Sequence, residues 1–228
     1  ELTLVTDTKD GTKKTELLAR IAVAQELYHE DTFVAAKEAI EVLFVENADE
    51  PTLEANVDKD AIDAAEKKLD LYKGTKSTDE LRAKIAKARE LLALREEAAL
   101  VDAVKNAIDS AMQTALEALN FARYNNLKAD NRAEVAELLF NSKPEDGFGF
   151  KTIADVTDAL DTLIDKYEGQ IAAVNAATDN TTMLTVLQEI FEDDGVELAN
   201  AENVLKNKPE KGYTTLAAIK EAFDETTP

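Results

Sequence analysis

Residues 143–148 read KPEDGF, and nearly the same six residues, KPEKGY, return at 208–213. Each copy is followed by a sequence typical of a helix, KTIADVTDALD at 151–161 and TTLAAIKEAFD at 214–224. Proline ends a helix, glycine permits a positive-φ turn, and threonine caps the helix that follows. Each copy therefore predicts a corner between two helices, with the aromatic residue folded back onto the core.

The repeat extends upstream of the corners. Leu139 aligns with Val204 and Met112 with Met183, so the copies lie farther apart in sequence at the methionines than at the corners. Such a drift indicates helices of equivalent role joined by loops of different length. Each copy covers about 60 to 70 residues, the size of a small helical domain. Repeats of this kind build length or surface rather than a reaction centre.

The composition favours helices throughout the chain. Of the 228 residues, 45% are apolar but only 6% are aromatic, and just 7 Gly and 4 Pro interrupt the sequence. Alanine and leucine, which have the best helix propensities, supply most of the apolar content. We therefore predict an all-α fold, an elongated array of small helical bundles joined by a long helix.

The charge and the cysteine content exclude several classes of function. There are 47 acidic and 26 basic residues, so the net charge is −21 and nucleic acid is not an expected partner. Without cysteine, the chain has no disulfide, no thiolate nucleophile and no zinc site built on sulfur. No apolar run approaches the length of a bilayer-spanning helix, so membrane insertion is not expected either. The opening Glu1, with no leader sequence, predicts a fragment or a trimmed mature chain.

Residues 1–75 predict a tail and a three-helix bundle. Residues 1–13 alternate apolar and polar side chains and read as a tail or the remnant of a preceding domain. Residues 14–75 carry three helical patterns, interrupted at Asp31-Thr32 and at the loop ending in Pro51. The first face comprises Leu17, Ile21, Ala24, Leu27 and Tyr28; the second follows a Thr32 cap with Phe33, Ala36, Ile40, Leu43 and Phe44; the third comprises Ile62, Ala65, Leu69 and Tyr72.

This stretch resembles the FIVAR-type modules of Gram-positive cell-surface proteins. The matching features are Leu17, Ile21, Ala24 and Leu27, then Thr32-Phe33 with Ala39-Ile40, then Ile62, Ala65 and Leu69. Phe33 stands where a tryptophan is common in that family. The resemblance implies a three-helix bundle exposed on a cell surface.

Residues 76–170 predict a helical module that contains a long connecting helix and the first repeat copy. A capping signal at Ser77–Glu80 opens an apolar pattern that continues to Leu119, and no Gly or Pro lies between Gly74 and Pro144. One helix of about forty residues would be roughly 60 Å long. The alternative is a break near Arg95-Glu96-Glu97. Further on, Gly169 predicts a short interruption, and residues 171–228 form the second copy.

The repeated corner, with the segments Asn106–Asp109, Asn175–Thr178 and Tyr124–Leu127, is similar to a helical repeat of S-layer and other secreted surface proteins of Gram-positive bacteria. The resemblance covers roughly residues 103–228. It implies a location outside the cell, on the cell envelope, and a role in assembly or scaffolding.

No residue pattern predicts a reaction or a firm metal site. His29 is the only histidine, so a metal cluster with several His ligands cannot form, and its place at a helix end beside Tyr28 and Glu30 predicts a solvated or helix-capping histidine rather than a catalytic one. Among 47 acidic residues, some carboxylate pairs lie at the separation found in glycosidases by chance alone. The chain also has no tryptophan, the residue that commonly binds sugar rings in a glycosidase cleft. The loops around Asp10-Gly11 and before Gly195 do not follow the EF-hand pattern. We predict no catalytic, cofactor-binding or metal-binding residues; Asp49-Glu50 and Glu192–Asp194 leave open weak surface binding of Ca²⁺.

The sequence thus predicts a structural segment of a bacterial cell-surface protein, not an enzyme. Its expected roles are spacer, scaffold or self-assembly module, and its expected partners are other copies or other domains of the parent protein. The alternative is an adhesion or wall-binding module that holds cell-wall glycan or protein in grooves between helices. Pull-down with wall sacculi separates the two.

Overall fold

The computed structural model describes residues 11–191 and 195–224. Within these residues the fold is all-α, with ten helices and no sheet, which confirms the predicted all-α class. The helices are α1 Gly11–Glu41, α2 Lys59–Leu71, α3 Asp79–Asn106, α4 Asp109–Ala118, α5 Ala122–Asn125, α6 Ala129–Asn141, α7 Ile153–Ala176, α8 Asn180–Ile190, α9 Leu198–Lys206 and α10 Leu216–Asp224. The chain divides into two compact units, with unit 1 ending at Glu96 and unit 2 beginning at Glu97.

Unit 1 has one core, formed by the second half of α1, by α2 and by the first half of α3. Asp58 caps α2 by accepting a hydrogen bond from the Ala61 amide at 2.8 Å. Apolar residues spaced three and four apart on each helix meet in this core. Its fully or almost fully buried members include Ala36, Ile40, Ile62, Ala65, Leu69, Leu81, Ile85 and Ala88.

The predicted helix break at Asp31-Thr32 is wrong. Helix α1 runs without interruption for 31 residues, and the Thr32 hydroxyl donates back to the carbonyls of Tyr28 and His29, both at 2.9 Å. Threonine can satisfy carbonyls of the preceding turn as well as cap a new helix, so its presence does not decide between the two. The third helix of the bundle comes from α3 instead, and the boundary predicted after residue 75 falls inside unit 1.

Both predictions for the long helix are also wrong. Helix α3 passes through Arg95–Glu97 without a break but ends at Asn106, and Ile108 is extended (ψ 163°) before α4 begins. Ala107 is buried just beyond the helix end, and the Lys143 ammonium donates to the Lys105 carbonyl at 2.7 Å. Tertiary contacts therefore end this helix where the sequence offers neither Gly nor Pro.

Unit 2 contains two successive cores, one for each repeat copy. The first core is built on the end of α3, on α4, on α6 and on the first part of α7; the second is built on the end of α7 and on α8, α9 and α10. Helix α7 is continuous through Gly169, so the predicted interruption there is wrong, and the boundary predicted after residue 170 lies within this helix. Tyr167 is buried in the first core and Val174 in the second.

The residues before the described range include most of the predicted tail 1–13. Gly11–Lys13 already belong to α1, while residues 1–10 lie outside the described residues. Among the described helices, none combines the length and the apolar content that a bilayer crossing requires.

Candidate functional site

The two corners have the predicted backbone. Gly147 has φ 85° and Gly212 has φ 79°, and each glycine amide donates to the carbonyl of the corner proline, at 2.9 Å to Pro144 and 2.8 Å to Pro209. Positive φ is readily adopted by glycine, which has no Cβ to clash with the backbone. The turn that the sequence predicts is therefore confirmed in both copies.

The predicted threonine caps are present as well. The Thr152 hydroxyl accepts from the Asp155 amide at 3.2 Å, and the Asp155 carboxylate accepts from the Thr152 amide at 2.9 Å, which completes a capping box. In the second copy, Thr215 accepts from the Ala218 amide at 3.2 Å. Bonds from the amides of Lys151 and then Thr152 lower the pKa of the Asp155 carboxyl below its usual value.

The aromatic residue of the second corner is clamped from two sides. Tyr213 is 5% exposed, and its hydroxyl donates to the Val204 carbonyl at 2.8 Å. Its amide donates to the Asn175 side-chain oxygen at 2.7 Å, and its carbonyl accepts from the Asn175 side-chain nitrogen at 2.9 Å. In the first copy, Phe148 is partly buried and stacks on Phe150 at 4.7 Å between ring centroids. The expectation that the aromatic folds back is confirmed.

The corner lysines have a role that sequence reasoning missed. Lys143 donates to the end of α3, and Lys208 donates to the Asn175 and Ala177 carbonyls at the end of α7, at 3.0 and 2.8 Å. The last carbonyls of a helix lack helical partners and carry partial negative charge, so an ammonium group stabilises them. The signal was available, because lysine opens the corner in both copies.

A carboxylate links the two repeat copies. Glu134 on α6 accepts from the Leu216 amide at 2.8 Å, from the Ala217 amide at 3.1 Å and from the Tyr167 hydroxyl at 2.9 Å. Glu134 thus caps the first turn of α10, where helix amides lack partners and the dipole favours an anion. Burial, and then the bond to Glu134, raise the pKa of the Tyr167 hydroxyl.

A groove of about 380 Å³ lies beside this link, and it is a candidate ligand site in unit 2. Its walls include Glu137, Leu138, Leu163, Lys166, Gln170, Ile190, Phe191 and Lys220. Glu134 also borders the groove, but its two oxygens already accept three hydrogen bonds, so it is poorly suited to act as a base. The groove can hold an apolar group between charged side chains; its lining provides no paired nucleophile and base.

Carboxylates that lie near one another on α7 are bound by an arginine. Arg123 pairs with Asp161 at 2.8 Å, with Glu168 at 3.4 Å and also with Asp165. These bonds hold the pKa of the guanidinium above its already high usual value. The cluster ties α5 to α7 and is a structural feature of the first core.

The other described residues that were considered for catalysis or metal binding do not lie together in one site. His29 lies between the rings of Tyr28 and Tyr72, with centroids 6.1 and 6.2 Å away. Across residues 11–191 and 195–224, no three His, Asp or Glu side chains are grouped as metal ligands would be. Of the two acidic segments considered for Ca²⁺, Asp49-Glu50 lies in the loop after α1, and Glu192–Asp194 lies outside the described residues.

Comparisons with models of known protein families, with curated proteins and with solved structures gave no match to this chain. The two family resemblances therefore stay predictions from the residues that carry them.

Proposed function

We propose that this chain is a structural segment of a bacterial cell-surface protein of the S-layer type and acts as a spacer, scaffold or self-assembly module. The proposal depends chiefly on helix α7, which is shared by the two successive cores of unit 2. A shared helix couples neighbouring modules and adds surface without a dedicated site. The location outside a Gram-positive cell follows from the resemblances of residues 14–75 and 103–228.

The polar groups at the copy junction support a structural role. Glu134, Asn175 and Lys208 all direct their side chains to backbone groups of the other helices and corners, which fixes the corners in place. The strongly negative charge keeps such a surface solvated and discourages nonspecific association.

Surface display tests the spacer role directly. The chain is inserted between a wall anchor and an epitope on a Gram-positive cell, and antibody access to the epitope is compared with that of the same anchor and epitope joined directly. A spacer is expected to raise antibody access, because stacked helical modules carry the epitope away from the wall. Equal access with and without the insertion contradicts the proposal.

The elongated arrangement that the sequence predicts has its own test. A single globule of this length has a radius of gyration of about 17 Å. Small-angle X-ray scattering of the free chain is expected to give a clearly larger value. A value near that of one globule contradicts the elongated arrangement.

Binding to cell-wall glycan or protein is the second candidate, and the groove beside Glu134 favours it. Its lining combines apolar side chains with the charged Lys166 and Lys220, which is compatible with a sugar or peptide chain. Retention of the chain on purified wall sacculi, lost in a Lys166→Glu, Lys220→Glu variant, supports binding. Failure to sediment with sacculi excludes this candidate.

A further inference from the structure

Helix α7 contributes unequally to the two cores of unit 2. Its fully buried residues in the first core are Val156, Leu160, Ile164 and Tyr167. In the second core, its fully buried residue is Val174. The part of α7 from residue 168 to its end at Ala176 is shorter than the roughly 12–15 residues below which an isolated helix is marginal in water. This part therefore stays helical for the second core because the first core holds the rest of α7.

The helices that follow the two corners, α7 and α10, are capped differently. Thr152 and Asp155 belong to the same copy as α7, so this helix has a capping box of its own. In the aligned sequence of the second copy, Ala218 stands where the first copy has Asp155. The carboxylate that accepts from the first two amides of α10 is instead Glu134 of the first copy. The second copy thus depends on the first for the acid that caps its last described helix.

Two further contacts attach the start of α10 to the first copy. The Asn131 side chain on α6 donates to the Thr214 carbonyl, just before α10, at 3.1 Å. Leu216 at the start of α10 and Ile171 near the end of α7 are partly buried and pack against both cores. When the first core unfolds, α10 loses its cap, this hydrogen bond and part of its apolar contact together.

The first core depends less on the second copy. Among the described residues, its buried members all lie between Val104 and Tyr167, before the second copy begins. The bond from the Tyr167 hydroxyl to Glu134 also lies within the first copy. When the second core unfolds, the first core loses its contacts with Leu216 and Ile171. Glu134 then loses two amide donors, which water can replace at a partly exposed carboxylate.

We propose that the two cores of unit 2 unfold in a fixed order: the second core unfolds while the first stays folded, and the first core does not unfold while the second stays folded. The order follows from what the first copy supplies to the second, namely the stable part of α7 and the Glu134 cap. Local unfolding of the second copy then leaves the first copy intact. This order goes beyond the structural role proposed above and does not depend on where the chain is located.

Native-state hydrogen exchange of the full chain measures the order, under conditions in which the exchange rate reports the equilibrium between folded and unfolded states. In the wild type, the amides of α8 and α9 in the second core are expected to be less protected than those of α4 and α6 in the first. Equal protection of the two sets would show that the cores unfold together.

Two matched variants give the sharper test. Leu187→Ala in the second core and Leu160→Ala in the first remove the same side chain from fully buried positions. Leu187→Ala is expected to speed exchange at least tenfold in both cores, because every state in which the first core is unfolded also has the second core unfolded. Leu160→Ala is expected to speed exchange at least tenfold in the first core alone, because the state that exposes the second core keeps the first core folded. Val204→Ala and Val156→Ala, a smaller change at two further fully buried positions, repeat the comparison if a leucine variant loses its native circular dichroism spectrum.

Three other results overturn the proposal. If each variant speeds exchange in its own core alone, the cores unfold independently. If both variants speed exchange equally in both cores, unit 2 unfolds as a single cooperative unit. If Leu160→Ala affects both cores and Leu187→Ala affects the second alone, the first core unfolds before the second.

Discussion

The two corner glycines have the same backbone conformation but different surroundings. A Cβ on Gly147 would meet no atom within 4 Å, whereas a Cβ on Gly212 would lie 2.6 Å from the Asn175 side-chain oxygen. That oxygen accepts from the Tyr213 amide, so it cannot move without loss of the clamp. Gly147 and Gly212 are therefore expected to differ in how well each tolerates substitution by alanine.

The pair gives a prediction with its own control. Gly147→Ala is expected to lower the free energy of unfolding by about 1–2 kcal/mol, the cost of a left-handed conformation for a residue with a Cβ. Gly212→Ala is expected to cost clearly more, because it also displaces Asn175. Urea denaturation measures both. Equal losses would show that the Asn175 clamp contributes nothing to stability.

Two helix caps predict an acid dependence of stability. Asp155 completes the capping box of α7 by accepting from the amides of Lys151 and Thr152, and Asp179 caps α8 by accepting from the amides of Thr182 and Thr181. Amide donors, foremost those of Lys151 and Thr182 respectively, lower the pKa of both carboxyl groups in the folded state. Their contribution to stability is therefore present above the unfolded pKa, near 4, and is lost as pH falls through the lower folded values.

Thermal unfolding between pH 2 and 6 measures this contribution. The difference in melting temperature between the wild type and an Asp155→Asn, Asp179→Asn variant is expected to be largest at pH 6 and to shrink toward pH 2. Asp158→Asn removes one charge from α7 without removing a cap, and serves as the control. A difference that stays constant with pH rules out the proposed role of the caps.

Sequence signals predict the structure correctly where one residue determines the local backbone conformation. They fail where the same residue type can have either of two structural roles. Pro144, Gly147 and Thr152 each act within a few residues of their own position, and the corner they predict is present. Thr32 has the same chemistry as Thr152, but its hydroxyl bonds backward inside a helix. The residue type alone does not distinguish the two cases, because a threonine hydroxyl can cap a new helix or bond to carbonyls of the preceding turn.

At the scale of the element, α7 shows how packing overrides propensity. Glycine in a helix interior is unfavourable by about 1 kcal/mol relative to alanine, which favours a break at Gly169. Tyr167 and Val174, buried on either side in two different cores, keep the helix continuous. At Asn106 packing ends a helix instead of extending it. The contact of Lys143 with the Lys105 carbonyl stabilises a helix terminus that helix propensity does not predict.

Gly169→Ala is expected to stabilise the chain by about 0.5–1 kcal/mol, because alanine is the better helix former and restricts the unfolded chain. The glycine is exposed, and an added Cβ would meet nothing within 4 Å. Ala172→Gly, at another exposed position of the same helix, is the control and is expected to destabilise by a similar amount. Urea denaturation at neutral pH measures both. If Gly169→Ala lowers stability, the helix needs the freedom of glycine at this position.

At the scale of the molecule, the junction of the two copies depends on a contact that the sequence does not reveal. Glu134 lies 82 residues before Leu216, and it is one of 47 acidic residues. Periodicity shows which residues face a core, but it gives no pairing between a surface carboxylate and a distant helix end. The repeated motif predicts two copies of one helical unit, but it does not predict that Glu134 of α6 caps α10.

Glu134→Ala is expected to lower the free energy of unfolding of unit 2 by about 1–3 kcal/mol, because two helix amides and the Tyr167 hydroxyl lose their acceptor. Glu137→Ala is the control, since Glu137 borders the same groove but does not cap α10. Native-state hydrogen exchange is expected to show α10 opening before the first core in the Glu134 variant. Identical hydrogen exchange in the Glu134→Ala and Glu137→Ala variants would show that the Glu134 contacts do not stabilise α10.

The continuity of α7 also limits how such a chain can change over generations. One residue inserted between Tyr167 and Val174 would rotate everything after it by about 100° and shift it by about 1.5 Å. Such an insertion would separate Glu134 from the turn that it caps. The corners absorb length changes without this penalty, and the two copies already differ in length there. Insertions and deletions in related chains are therefore expected in the corners. The number of residues between Tyr167 and Val174 is expected to stay the same.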